Sequence, residues 1–172
     1  SDHGEEFWDH GSAIHSHSLY RELLHVPLLI RAPGLDHARI AAAIPLMDLR
    51  PPLLELLTIP IPRPFRGRSL LGLMTGSESA DRVVVSEQRS LKSWTEYPWK
   101  LVRDMDTKEL ELFNLDHDPL EQTNLAAVEG EIARRIGAKL DARIAGHGQT
   151  AVPELEPGID DPELIDQLRE LG

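Results

Sequence analysis

The hydrophobic positions of this chain change texture near Asp81. Before it, apolar residues form short helical faces and continuous runs. SLYRELL sets Leu19, Leu23 and Leu24 on one side of a short helix, with Ser18 as its N-cap. VPLLIRAPG follows as an unbroken apolar run closed by Pro-Gly, which is the pattern of a buried strand. ARIAAAIPL reads as a second, more exposed strand. Asp48 is placed to cap LRPPLLELL, whose prolines fall in the first turn, where a helix tolerates them. The proline-rich TIPIPRPFRGRS is an extended surface loop, and SLLGLMTG is a single helical turn ended by glycine.

After Asp81 the runs are short and β-prone. DRVVVSEQ, PWKLVRDM and KELELFNL are separated by turn residues, and Glu109 to Phe113 alternate cleanly. This spacing predicts an antiparallel meander with one wet face. NLDHDPLEQTNLA is a turn-rich connector. EGEIARRIGAKLDARIAG then repeats Ile132, Ile136, Leu140 and Ile144 every four residues, an amphipathic helix that covers the sheet. A Pro/Glu linker leads to DPELIDQLRELG, a short terminal helix with Pro162 in its first turn.

Composition removes several classes of partner. The 172 residues carry 29 acidic against 18 basic side chains, a net charge of −11. Such a balance excludes nucleic acid as the main partner, because phosphate binding needs a basic surface. No apolar run approaches the ~20 residues of a membrane span. There is no cysteine, so disulfides and thiolate metal sites are excluded.

The first seventeen residues show neither helical nor alternating periodicity and read as an ordered loop, yet they are dense in histidine and acidic side chains. Asp2 and His3 are adjacent and followed by Gly4, which permits the sharp bend that two neighbouring ligands need to meet one ion. Mixed oxygen and nitrogen ligation suits Ca²⁺, Mg²⁺, Mn²⁺ or Zn²⁺, according to the remaining partners. His15 and His17 are the nearby residues able to complete such a site. No D-x-D-x-D-G loop of the acidic calcium type occurs.

Asp2 to Glu6, followed after a gap by HSHSLYRELLHVPLLIRAPG, resembles the sulfatase family of the alkaline phosphatase superfamily. The resemblance continues in order through PLMDLRPPLLELLTIPIP, GRSLLGLMTG, WKLVRD with ELELFNLDHDPLEQTNLA, and LIDQLRELG. It implies an α/β fold, the C-terminal part of an alkaline-phosphatase-like sulfatase. The last elements of a large mixed sheet would precede a small antiparallel sheet covered by a helix. Residues 1–78 would then belong to the large catalytic domain, 79–150 to the small sheet with its packing helix, and 151–172 to a linker and terminal helix.

The resemblance also implies roles. Asp2 becomes a ligand of a divalent cation, Ca²⁺ in most of the family, with Mg²⁺ or Mn²⁺ as alternatives. His3 becomes a second ligand or a donor to the sulfate-ester oxygens. His17, with His15 as the alternative, becomes the imidazole that contacts the sulfate and protonates the leaving alkoxide. Glu5 and Glu6 are read as supporting or solvated, and His10 and His37 as loop residues. His25 ends the first helix, Arg31 anchors a strand end, and Lys100 has a structural role in the small sheet. Trp8 stands where the family has a small residue, and either narrows the pocket mouth or packs.

The family's nucleophile, a formylglycine made from C/S-x-P-S-R, has no counterpart in these residues. The chain is therefore expected to be a C-terminal fragment, inactive alone, whose partners are a small-molecule or carbohydrate sulfate ester and the missing N-terminal part of the same protein. Two alternatives stand beside this reading. One is a phosphonate monoester hydrolase or phosphodiesterase of the same superfamily. The other is a non-catalytic interaction module.

Overall fold

Alternating sequences such as ELELF pair edge to edge when turns bring them together, and four do so here. A computed structural model of the chain describes residues 1–61, 67–79 and 81–147. The strands β1 (Val84–Gln88), β2 (Leu91–Glu96), β3 (Trp99–Asp104) and β4 (Leu110–Asn114) form one antiparallel sheet in the order β1-β2-β3-β4. Val85, Trp94, Leu101 and Leu112 lie in one cross-strand row, and Lys100 pairs with Phe113 in the next. The meander is the one that the alternation predicts, with β2 (LKSWTE) added between the first two expected runs.

The sheet has no wet face at its centre, contrary to the sequence expectation. Leu101 and Leu112 are fully buried on one side, while Val102 and Phe113 are buried on the other. Helix α4 (Gly130–His147) covers the first side and contributes Ala133, Ile136 and Leu140 to the core. It lies close enough to β3 that a Cβ on Gly137 would come within 2.6 Å of the Arg103 guanidinium, which would have to shift to admit it. Glu96 on β2 ties the helix down through Arg135, at 3.2 Å, and Lys139. The second side is covered by Leu19, which packs with Val102 and Phe113, and by Tyr20, whose ring meets Phe113 edge-on at 6.1 Å. Each such buried side chain contributes about 1.5–3 kcal/mol.

The segment ahead of the sheet is mostly irregular. Helix α1 (Arg21–Leu24) is a single turn, and Tyr20 rather than Ser18 holds its N-cap position, with no side-chain cap. A 3₁₀ turn (Leu46–Leu49) runs into α2 (Arg50–Leu56), which carries proline at its start as expected. Helix α3 (Leu71–Met74) is the expected single turn. Residues 26–30 and 38–45 form no strand. Leu29 is 90% exposed and Leu28 45% exposed, and no described strand pairs with this run. Arg31 is likewise exposed in a loop.

Asp48 does not cap α2 either. Its carboxylate is buried, accepting the Arg68 backbone N–H at 2.8 Å and the Arg82 guanidinium at 2.5 Å. Arg82 also donates to the Ser69 carbonyl at 2.6 Å and to Glu78 at 3.0 Å, so it ties Asp48, Ser69 and Glu78 together. The chain divides into two compact units, Ser1–Leu140 and Asp141–Gly172. The expected terminal helix and the middle of the proline-rich loop lie outside the described residues.

A buried corner joins the N-terminal loop to the sheet. Lys100 Nζ donates to both carboxylate oxygens of Glu121, at 2.8 and 2.7 Å, and both residues are 3% exposed. Lys100 therefore has the structural role expected for it. Burial lowers the Lys100 pKa and raises that of Glu121, each toward its neutral form, while their mutual attraction opposes both shifts. Glu121 Oε2 also accepts the Arg21 N–H at 3.2 Å, and the Glu121 carbonyl accepts a hydrogen from His10 Nε2 at 3.0 Å. His10 Nδ1 meets Glu22 at 2.7 Å, and its ring stacks on Tyr20 at 3.8 Å. His10 is thus a link rather than a plain loop residue. Burial alone would lower its pKa, but the Glu121 carbonyl and the Glu22 carboxylate outweigh that and hold it above the ordinary imidazole value.

Two measurements check this account. Leu112→Ala should lower unfolding free energy by about 2–5 kcal/mol in urea titrations, since the truncated side chain is fully buried. A loss well below that range would show that the two sides of the sheet are not packed as described. The raised His10 pKa gives stability that is complete below the unfolded value of about 6.5 and lost as pH rises through the folded value. The stability gap between the chain and His10→Asn should therefore narrow from about pH 6 to about pH 8. A gap that is flat or widens over that interval contradicts the link.

Candidate functional site

The site loop begins at a close backbone approach that only glycine allows. Gly4 donates its N–H to the Leu23 carbonyl at 2.9 Å, and a Cβ at Gly4 would stand 1.9 Å from the Glu22 carbonyl oxygen. Backbone therefore rests directly on helix α1, and Asp2 and His3 are held at the edge of the loop that carries His15 and His17. The glycine of the D-H-G triplet is required by this contact.

The interior of the loop is organised by Glu6, which is fully buried. Its Oε1 accepts the backbone N–H groups of His10, at 2.9 Å, and Ser12, at 2.7 Å, while its Oε2 meets His17 Nε2 at 2.7 Å. Burial would raise this carboxyl's pKa, but the two N–H groups and the His17 ring reverse that and hold it below the ordinary carboxylate value. A charged carboxylate inside a loop is thus satisfied at both oxygens. The sequence reading left Glu6 as supporting or solvated, and its burial decides for support.

The sequence-predicted ligands are only partly brought together. Asp2 and His3 are both exposed. The His3 ring stacks on that of His15 with centroids 4.5 Å apart, and its Nδ1 lies 2.9 Å from the Gly4 carbonyl. Glu5 pairs with His15 Nδ1. His3, Glu5 and His15 each place a ligand atom within 4.8 Å of the others, so two imidazoles and a carboxylate form a group able to hold a cation. Asp2 stands outside this group, with its carboxylate open to solvent. This donor set of two imidazoles and a carboxylate, exposed on the loop, fits a divalent ion on both chemistry and access.

His17 is held differently from His15. With Nε2 on Glu6, its Nδ1 is buried and has no hydrogen-bond partner among the described residues. Trp8 is 72% exposed, and its backbone lies at φ +70°, a conformation that glycine adopts without cost. That is the physical sense of the small residue which the sulfatase pattern has there. His25 closes α1 by donating its N–H to the Arg21 carbonyl at 2.7 Å, as expected. His37 is an exposed loop residue. Asp9, Arg21, Glu22, His25, Leu120 and Gln122 line a cleft of about 160 Å³, and none of the predicted site residues borders it. Among the described residues no helix is long and apolar enough to cross a membrane.

No family model matches the chain. Individual proteins do. Arylsulfatase K of Xenopus laevis is 31% identical over 159 residues, which takes in 81% of this chain and 29% of that protein. The chain thus spans about a third or less of the curated relatives it matches. Among solved structures, a 2-O GAG sulfatase superposes with a TM-score of 0.71 at 24% identity, covering 86% of this chain and 35% of the other. A protein solved in complex with its substrate D-glucosamine-2-N,6-O-disulfate gives a TM-score of 0.68 at 19% identity, covering 90% and 35% respectively. At these identities the structural likeness establishes the fold, an α/β one belonging to the C-terminal part of the alkaline-phosphatase-like sulfatase architecture. Fold and sequence likeness agree, and the chain is a member of the sulfatase family, matching the C-terminal region of those longer proteins.

Proposed function

We propose that this chain supplies the cation-binding and proton-handling part of a sulfuric ester hydrolase that acts on a carbohydrate sulfate. In this reading Asp2 and His3 hold a divalent ion, Ca²⁺ being the one the sulfatase resemblance implies, with Mg²⁺ or Mn²⁺ as alternatives. When bound, the ion stabilises negative charge on the sulfuryl oxygens. An imidazole from the 15–17 stretch meets the ester and gives its proton to the departing alkoxide. The nucleophile, a formylglycine in this family, belongs to a C/S-x-P-S-R stretch that these 172 residues do not contain. The same reading assigns residues 1–78 to the catalytic domain and 79–150 to the small sheet with its helix, with 151–172 as a separate stretch.

The single observation that carries the reading is the cluster at the foot of the loop. Gly4 rests on α1 through its backbone, the His3 ring stacks on His15, and these two imidazoles share one accessible surface with the Glu5 carboxylate. That the neighbours named above act on sulfated sugars supports a carbohydrate sulfate as the substrate class. The exposed Leu28 and Leu29 fit a further role as the surface on which the N-terminal part of the same protein packs.

Calcium titration followed by thermal unfolding tests the proposal. Added Ca²⁺ should raise the unfolding temperature of the chain in a saturable way, and Asp2→Ala, an exposed substitution with little intrinsic effect on stability, should abolish the shift. A folded chain indifferent to divalent cations, or one whose response survives Asp2→Ala, would favour an interaction module instead.

A further inference from the structure

Two histidines of one loop, His15 and His17, compete for the task of meeting the sulfate. Their surroundings are opposite in kind. His17 turns Nε2 onto the fully buried Glu6 at 2.7 Å, and its Nδ1 is enclosed without a partner among the described residues. Neither of its ring nitrogens is offered to a ligand in solution. The side chain is 30% exposed, with Nδ1 enclosed and Nε2 engaged by Glu6. A group placed in this way can hold a loop together, but it cannot donate to an oxygen outside.

His15 has the reverse arrangement. Its side chain is 48% exposed, and its Nδ1 is taken by the Glu5 carboxylate. A carboxylate on one imidazole nitrogen fixes the ring and directs the other nitrogen away from it. In His15 that other nitrogen, Nε2, has no described partner. The His3 ring, stacked at 4.5 Å, steadies the plane. Two carboxylates in adjacent positions thus perform opposite tasks. Glu6 draws one imidazole in, and Glu5 aims the other out.

We propose that Glu6 is a positioning residue that retires His17 into the loop, and that His15 Nε2 is the group that meets the sulfuryl oxygens or the departing alkoxide. Glu6 acts through three bonds. Two shape the His10–Ser12 backbone, and the third fixes the His17 ring, so the length and direction of the loop that presents His15 follow from one buried carboxylate. The part concerning His15 and sulfate rests on the sulfatase reading. The part concerning Glu6 and His17 does not, and the two can fail separately.

Histidine carbethoxylation by diethyl pyrocarbonate, read site by site by mass spectrometry on the 172-residue chain, distinguishes them. His15 should label severalfold faster than His17 in the unmodified chain. In Glu6→Gln, which keeps an acceptor for the two backbone N–H groups but places an amide against His17, His17 should become as reactive as His15. A urea midpoint measured on the same variant confirms that it is folded. Inorganic sulfate should slow labelling of His15 and leave His17 unchanged. Equal labelling of His15 and His17 in the unmodified chain overturns the Glu6 assignment whatever the chain's activity, and this arm needs no variant. Protection of His15 by Ca²⁺ alone, or no protection by sulfate, overturns its role as the sulfate-facing group. Loss of the Asp2-dependent calcium response with the labelling pattern intact would instead count against the proposed metal site only.

Discussion

The buried Lys100–Glu121 pair is the constraint on which the rest of the arrangement depends. Two opposite charges, each 3% exposed, are tolerable only when the geometry is close and the remaining lone pairs are used. Here both carboxylate oxygens reach the ammonium, and one also takes a backbone N–H from α1. The main chain at Glu121 is held at φ +58°, an uncommon conformation for a non-glycine residue, and its carbonyl is turned toward His10. A charge pair in the small sheet thereby fixes the position of a loop more than a hundred residues away in sequence. The hydrophobic layer of Leu19, Tyr20, Val102 and Phe113 lies beside this corner and excludes the water that would otherwise weaken it.

The N-terminal loop has a second buried charge of its own in Glu6. Together the two give the loop a defined shape without regular secondary structure, since the N–H groups of His10 and Ser12 bond to the Glu6 carboxylate instead of to a helix or a sheet. Residues that carry function on irregular backbone need such internal supports, because propensity gives them none. The Gly4 contact with α1 serves the same end from the other side of the loop.

Periodicity told most where one element buries one face. The four-residue repeat of α4 and the alternation of β4 were legible because each reports a single geometry. Continuous apolar runs were not. VPLLI demands burial, but a run of that kind does not say what lies beside it, and in the described residues it pairs with nothing. Likewise Asp48 has the chemistry of an N-cap, yet its partner is Arg82, thirty-four residues on, a choice that no local pattern encodes. The missing wet face has the same cause, because SLYRELL reads as a small helix and not as a cover for the sheet. For the site, the residue types were visible and their pairings were not. The density of Asp2, His3, His15 and His17 drew attention to the loop. Which carboxylate takes which imidazole depends on Glu5 and Glu6 pointing in opposite directions, and Glu121 gave no signal beyond its place in a turn-rich connector.

The central claim is that the buried pair in the sheet holds the shape of the site loop. Hydrogen exchange of the His10 and Ser12 amides, both bonded to Glu6, tests it most directly. The comparison is between the chain and the double variant Lys100→Met with Glu121→Leu, which removes both charges and leaves no unpaired one buried. Protection at His10 and Ser12 should fall sharply while the amides of β3 and β4 stay protected. Unchanged protection at those two amides, with the charge pair gone, would contradict the account.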